Sequence, residues 1–114
     1  MRESPFIPTA EREVVRAAGW YEKEQPGFGV KFIAAAREAA ARAVAHPEQG
    51  SPYLFGTRRV FLDGFPYSVI YVVGAQRITI IAVEHQRRRP GYWRRRLRSI
   101  SDLDAEPQRR YEEP

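Results

Sequence analysis

The sequence predicts an α+β domain in which an N-terminal helix hairpin packs on a small, mainly antiparallel sheet of three to four strands. In residues 9–47 the apolar side chains recur at the spacing of amphipathic helices. In residues 58–85 they alternate with polar side chains at the two-residue period of strands. Because neither layer can bury its apolar side alone, we expect the two layers to pack on each other.

The composition is that of a compact globular protein. The 114 residues correspond to one domain, and the hydrophobic fraction of 43% is sufficient for a buried core. The chain has no cysteine, which excludes disulfides and thiolate metal sites and fits a reducing compartment. No apolar run approaches the roughly 20 residues of a membrane helix, so we expect a cytoplasmic protein that does not enter membranes. We assign residues 1–98 to the domain and predict a flexible C-terminal tail over residues 99–114.

Helix signals begin close to the N-terminus. A short apolar piece at Phe6-Ile7 precedes them and is expected to form a brief edge strand. Thr9 has the side chain of a helix N-cap, and acidic residues follow it in the first turn. The first helix should fade near Gln25, because the residue before a proline disfavours helical backbone.

A turn and a second helix come next. The Pro-Gly-Phe-Gly segment at residues 26–29 is a turn signal. The following alanine-rich stretch has strong helix propensity and should end at His46-Pro47. Its apolar stripe consists of Phe32, Ala36, Ala39 and Ala43. Two helices joined by a short turn are expected to lie antiparallel as a hairpin.

The second half of the chain predicts a meander of three strands, or four with the N-terminal piece. Residues 48–56 are predicted to form a loop. Strands are expected at residues 58–62, 67–73 and 77–85. Asp63-Gly64 is a hairpin turn signal between the first two strands.

Alternation along the last strand predicts which side chains share a face. One face should carry Arg77, Thr79, Ile81, Val83 and His85. The other face should carry Ile78, Ile80 and Ala82, packed against the helices.

Positive charge is concentrated where this last strand ends. The formal net charge is +5, and residues 85–98 contain seven arginines and no acidic residue. These arginines are Arg87, Arg88, Arg89, Arg94, Arg95, Arg96 and Arg98. A local arginine cluster is typical of proteins that bind phosphates or an acidic protein. The alternative is a solvated surface without a partner.

His85, Arg88 and Tyr92 are the candidate catalytic residues in this basic region. An imidazole, guanidinium groups and a phenol are what an acid–base ribonuclease requires, because protons must be moved and charge on phosphorus stabilised. Such a reaction needs no metal, the sequence offers no ligand cluster, and we expect no cofactor. The alternative is that His85 hydrogen-bonds the backbone or caps the strand.

Further candidates for nucleic-acid or partner binding surround these three. Arg58 and Arg59 lie on opposite faces of their strand, so only one of them is expected to share a site with His85. Tyr92 and Trp93 stand among arginines, and at least one is expected to be exposed for stacking. The predicted phosphate- or partner-binding set is Arg58, Arg59, Arg87, Arg89, Trp93, Arg94, Arg95 and Arg96.

The most specific motif is Ala-Val-x-His-x-x-Arg-x-Pro-x-Tyr-Trp over residues 82–93. Shorter segments precede it in order: Trp20-Tyr21-Glu22, Pro26-Gly27-Phe28-Gly29 with Phe32, His46-Pro47, Arg58-Arg59-Val60 and Phe65-Pro66-Tyr67. Together they give the chain, over residues 9–96, a sequence that resembles the RelE/ParE toxins of bacterial type II toxin–antitoxin systems. The resemblance implies a helix hairpin on a small antiparallel sheet. It also implies a cognate antitoxin that wraps the toxin and neutralises it.

The resemblance allows two activities. RelE-like members cut messenger RNA on the ribosome without a metal, whereas ParE-like members poison DNA gyrase and are not themselves enzymes. The turn at residues 26–29 and the Phe65-Pro66-Tyr67 segment look more like the plasmid-stabilisation ParE branch, and the helices hold only Lys23 and Lys31 where RelE members carry more lysines. We therefore favour a ParE-like gyrase poison. The alternatives are a RelE-like ribonuclease and an inactive, partner-binding member.

Overall fold

The computed structural model of the chain describes residues 4–104. Two helices, α1 (Pro8–Glu24) and α2 (Phe28–Ala45), precede β1 (Ser51–Pro52), β2 (Arg58–Phe61), β3 (Tyr67–Val73), β4 (Ile78–His85) and a further helix, α3 (Arg96–Asp104). All neighbouring strands are antiparallel, in the order β1-β2-β3-β4. The predicted α+β architecture with an N-terminal helix hairpin is confirmed.

The start of α1 differs from the prediction. Ile7 is the N-cap, Pro8 is the first helical residue, and Thr9 lies inside the helix without capping it. Proline suits this position because its fixed φ matches the helix and its missing N–H needs no partner there.

The turn between the helices is shorter than predicted, because α2 already begins at Phe28. Gly27 adopts a left-handed conformation with φ of 95°, which glycine tolerates without strain. The Glu22 carboxylate accepts hydrogen bonds from the N–H groups of Gly27 and Gly29 at 2.9–3.1 Å. At Gly29 the helices approach so closely that a Cβ would lie 2.8 Å from the Ala18 carbonyl oxygen. The small residues of this turn therefore set the hairpin spacing.

The fourth strand comes from a segment that the sequence predicts to be a loop. Within residues 48–56, Ser51 and Pro52 pair with β2, and one 3-10 turn follows at Leu54–Gly56. The predicted N-terminal edge strand is reduced to a single parallel bridge between Phe6 and Ile80. The sheet consequently has four strands, but its fourth member is β1.

Both faces of the sheet are covered. The helix side buries Phe32 and the small residues of α2 against β3 and β4. The opposite side is covered by Trp93 and by Ile100 of α3, which are 0% and 4% exposed. Residues 99–104, the start of the predicted tail, thus belong to a helix, and the rest of that tail lies outside the described residues.

A β-bulge changes the predicted faces of β4. Ile70 pairs with Ala82 and Tyr71 pairs with Ile80, so Ile81 has no opposite residue. Ile78 and Ile80 face the helices as predicted, but Ala82 packs with Trp93 on the other side. The extra residue inverts the alternation after it, which is the usual effect of a bulge. The predictions that Ala82 packs against the helices and that Val83 shares a face with Ile81 are therefore wrong.

Among the helices described, none is both long enough and apolar enough to cross a membrane.

Candidate functional site

The outer edge of β4 is closed by polar contacts from distant parts of the chain. Next to the Phe6 bridge, the Ile80 N–H donates to the Pro5 carbonyl at 2.8 Å, and the Ile7 N–H donates to the Ile80 carbonyl at 3.0 Å. Further along, the Val83 N–H donates to the Glu13 carboxylate of α1 at 2.9 Å. These contacts satisfy backbone groups that an unpaired sheet edge would leave open.

Tyr92 belongs to this edge closure. Its hydroxyl donates to Glu13 Oε2 at 2.8 Å, and the Arg88 guanidinium covers its ring at 3.8 Å from the centroid. Burial, together with the neighbouring Glu13 carboxylate, raises the pKa of Tyr92 well above its ordinary value. The phenol therefore stays protonated at neutral pH, and its proton is already donated to Glu13.

Arg96, which the sequence predicts to bind phosphate, forms an ion pair inside the fold. Its guanidinium meets Glu13 through both terminal nitrogens at 3.0 and 3.2 Å and donates to the Ile81 carbonyl at 2.8 Å. The pair is largely shielded, since the Arg96 and Glu13 side chains are 21% and 16% exposed. These donors are engaged inside the fold, and the phosphate-binding role of Arg96 stays a prediction.

His85 closes the C-terminal end of β4. Its Nδ1 accepts a hydrogen bond from the Arg87 N–H at 2.9 Å, and its ring packs edge-on against Tyr67 at 4.9 Å. No hydrogen bond within residues 4–104 joins the imidazole to Arg88 or Tyr92. The strand-capping alternative describes this geometry, and the three candidate catalytic side chains do not form one hydrogen-bonded group.

Trp93 is buried rather than available to a partner. It is 0% exposed and packs beside Tyr53 and Phe55 on the sheet face away from the helix hairpin. It covers the second apolar face of the sheet, and its predicted partner-binding role stays a prediction. The expectation that Tyr92 or Trp93 is exposed holds only for part of Tyr92, which is half-buried.

Arg58 and Arg59 point in opposite directions, as predicted, but neither contacts His85. Arg58 donates to the Gly50 carbonyl at 2.6 Å. Arg58 pairs with Tyr71, and His85 pairs with Tyr67, four residues away along β3 or about 13 Å of strand. Arg59 instead lies on the opposite face of the sheet.

The remaining predicted arginines stay on the surface. Arg87, Arg88, Arg89, Arg94 and Arg95 are all exposed. Arg94 stacks on Phe55 at 4.4 Å, and Arg88 covers Tyr92. Their positive charge faces solvent around the turn that leads from β4 to α3.

Glu84 is a buried titratable residue that the sequence does not single out. It is 3% exposed and accepts a hydrogen bond from the Tyr53 hydroxyl at 3.3 Å. Burial raises the pKa of Glu84 above its ordinary value, and the hydrogen bond from Tyr53 and the nearby Arg59 charge offset only part of that rise. An acidic residue directly after the apolar run of β4 was the signal that the sequence offered for it.

The structure also contains a groove for which the sequence gives no signal. It has a volume of about 1360 Å³ and lies between the helix hairpin and the turn that joins β3 to β4. Its lining is mainly apolar and includes Val14, Val15, Ile33, Ala40, Val44 and Ile78. Val15 and Val44 are 67% and 51% exposed, although both are apolar. Exposed apolar surface of this kind typically marks an interaction site.

Among the side chains described, those of residues 4–100, no three from His, Asp and Glu come together in a way that suits a metal ion.

Comparison with known proteins agrees with the fold and the sequence motifs. No curated protein sequence matches the chain significantly. A family model described as the ParE toxin of the type II toxin–antitoxin system parDE matches residues 6–90. The match extends from the N-terminal bridge through both helices and the whole sheet to the beginning of the arginine-rich turn. The chain therefore belongs to the ParE toxin family of type II toxin–antitoxin systems.

Proposed function

We propose that this chain is a growth-inhibiting toxin that poisons DNA gyrase and is held inactive by an antitoxin bound in the groove beside the helix hairpin. The observation that carries the choice of target is the hydrogen bond from Tyr92 to Glu13. It engages the phenol in the fold, whereas an acid–base ribonuclease would need it at the reacting phosphate. Membership of the ParE family supports the same choice.

His85 adds to the argument against the ribonuclease alternative. With Nδ1 engaged by the Arg87 N–H, the imidazole orders the turn after β4. A general base must lie within hydrogen-bond reach of the proton it removes, and its acid partner must lie across the same substrate. Tyr92 is directed towards α1 instead, so the two groups do not face a common reacting atom.

The groove is suited to an amphipathic helix of the antitoxin. Its apolar lining, with Val15 and Val44 exposed, would accept the apolar face of such a helix. The toxin carries a net charge of +5, and Arg37 lies in the groove wall. Acidic residues beside the apolar face of the partner helix would therefore favour binding.

Purified protein added to a gyrase supercoiling reaction tests the proposed target. We expect supercoiling to be inhibited by the wild type and by His85→Ala alike. A parallel cell-free translation reaction, with message ends mapped by primer extension, is expected to show intact message. Ribosome-dependent cuts that disappear in His85→Ala would instead establish the ribonuclease, and inactivity in both assays would leave a partner-binding member.

A further inference from the structure

Aromatic and arginine side chains form a continuous row on the sheet face away from the helix hairpin. The row, here called the aromatic–arginine ladder, runs in contact order through Phe61, Arg59, Tyr53, Trp93, Phe55 and Arg94. The arginine guanidinium carbons lie 4.0–4.9 Å from the ring centroids, and the neighbouring rings are about 6 Å apart. Segments from β2, the 3-10 turn and the turn before α3 thus contribute to one surface.

The backbone holds the middle of the ladder in an unusual conformation. Phe55 has φ of 56° and ψ of 37°, the left-handed region that non-glycine residues rarely occupy. The turn is tied down by Thr57, whose hydroxyl donates to the Leu54 carbonyl at 2.7 Å. A Cβ at Gly91 would lie 3.1 Å from the Phe55 ring, so glycine there leaves room for it. Strained backbone that persists in a fold often marks a functional surface.

The ladder is supported from below but is not covered. Leu54, Phe55 and Phe61 are 37%, 41% and 53% exposed, whereas Trp93 beneath them is buried. Tyr53 is anchored from below by its hydrogen bond to Glu84. Exposed aromatic side chains and arginine, fixed before binding, are the residues that dominate the energetics of protein interfaces.

Charge and stacking together indicate the kind of partner. A guanidinium stacked on a ring keeps its edge free to meet a carboxylate in a two-pronged contact. The arginines of the ladder already occupy ring faces on which unpaired bases would stack. An acidic protein surface with an apolar anchor between its carboxylates therefore fits the ladder better than single-stranded nucleic acid does.

We propose that the aromatic–arginine ladder is the surface with which the toxin contacts an acidic protein surface of its cellular target. The inference rests on the proposed toxin function but does not depend on the target being gyrase. The groove assigned to the antitoxin borders the helix hairpin, on the other side of the sheet. Target and antitoxin would accordingly use different side chains.

Two ladder variants and two matched controls test the inference. Phe61→Ala and Arg94→Glu alter exposed ladder residues without touching the core. Val30→Ala removes a side chain that is 71% exposed on α2, and Arg98→Glu makes the same charge change outside the ladder. Each protein is expressed with and without the candidate antitoxin, which is the product of the gene adjacent to the toxin gene, and thermal unfolding of the purified proteins verifies the fold.

Without that product, we expect the ladder variants to inhibit growth at least about tenfold less than the wild type, counted as colonies formed, which is the loss typical of a central interface side chain. The controls should match the wild type, and all four variants should still co-purify with the adjacent product. Folded ladder variants that arrest growth like the wild type would overturn the inference. Loss of both growth arrest and co-purification in the ladder variants would overturn it as well. So would a binding assay in which the wild type binds single-stranded RNA and neither ladder variant does.

The same experiment separates this inference from the proposed target. If growth arrest depends on the ladder but the protein leaves purified gyrase unaffected, gyrase is refuted as the target and the inference about the ladder stands. If both ladder variants still inhibit gyrase, the proposed target stands and the inference about the ladder is refuted. A wild type that arrests no growth would refute both.

Discussion

Glu13 and Arg96 form a shielded ion pair across 83 positions of the sequence, with nitrogen–oxygen distances of 3.0 and 3.2 Å. The same carboxylate accepts hydrogen bonds from Val83 and Tyr92. One side chain of α1 thereby fastens the start of α3 and covers the free edge of β4. Because an open strand edge is a template for pairing with another chain, this closure leaves fewer backbone groups of β4 open to such pairing.

Replacing Glu13 with Gln should lower the free energy of unfolding by about 1–3 kcal/mol, because the arginine is left partly buried without its counter-charge. Urea unfolding at neutral pH measures the loss. The matched control is Glu38→Gln, since Glu38 pairs with Arg42 at the surface, where the side chains are 60% and 47% exposed. We expect that control to cost less than about 0.5 kcal/mol. Equal losses in the two variants would contradict a structural role for the Glu13 pair.

The two tryptophans should respond very differently to truncation. Trp93→Ala removes a side chain with no exposed surface and is expected to cost about 3–5 kcal/mol of unfolding free energy. Trp20, which is 58% exposed, should tolerate the same change within about 0.5 kcal/mol. Thermal unfolding followed by circular dichroism compares them. A Trp93 variant as stable as the Trp20 variant would show that the second face of the sheet is not packed as described.

Glu84 should make the protein less stable as the pH rises. Its pKa is raised in the folded state from an ordinary value of 4.5, so the folded chain retains this proton where the unfolded chain has lost it. The free energy of unfolding should therefore fall as the pH increases from 4.5 through the folded pKa. In Glu84→Gln this contribution is absent, so the free energy of unfolding of the variant should rise relative to that of the wild type over that pH range.

Urea unfolding at a series of pH values measures the difference between wild type and Glu84→Gln. Glu24→Gln, at the exposed end of α1, controls for the loss of one negative charge. A difference that stays constant from pH 4 to 7, or that moves in the opposite direction, would contradict the assigned desolvation of Glu84.

A charged side chain placed in the groove should weaken antitoxin binding without abolishing toxicity. Val44→Arg puts a guanidinium among the apolar groove residues, and burying it against an apolar helix would cost binding energy. We expect co-purification with the adjacent gene product to fall at least about tenfold, as for loss of an interface anchor. Val30→Arg, on α2 but outside the groove lining, should bind normally. Equal binding by both variants would place the antitoxin elsewhere.

Local sequence patterns were sufficient to predict most of the helices, strands and turns. The stripe of Phe32 and the alanines of α2 specifies a helix that packs closely, and the alternation in residues 67–73 specifies a strand. The Asp63-Gly64 signal correctly marked a hairpin turn, with Gly64 at φ of 85°. These features depend on neighbours only a few residues apart, so they are visible in the sequence.

The faces of the elements were harder to predict than the elements themselves. The bulge at Ile81 moves Ala82 to the side of Trp93, and no propensity rule marks its position. The two-residue strand at Ser51 exists only because β2 is beside it. In both cases pairing with a distant segment outweighs local preference.

By itself, the sequence determined the fold class, the helix hairpin, the order of the main strands and the toxin family, because periodicity, turn residues and ordered motifs are local properties of the chain. Only the tertiary structure decided what the arginine-rich end does. It buried Trp93, paired Arg96 with Glu13, turned Tyr92 towards α1 and aligned Phe55, Phe61 and their arginines on one surface. The physical reason is that an arginine or an aromatic ring has the same local signal whether it closes a sheet edge or faces a partner. Contacts between residues far apart in sequence make that distinction.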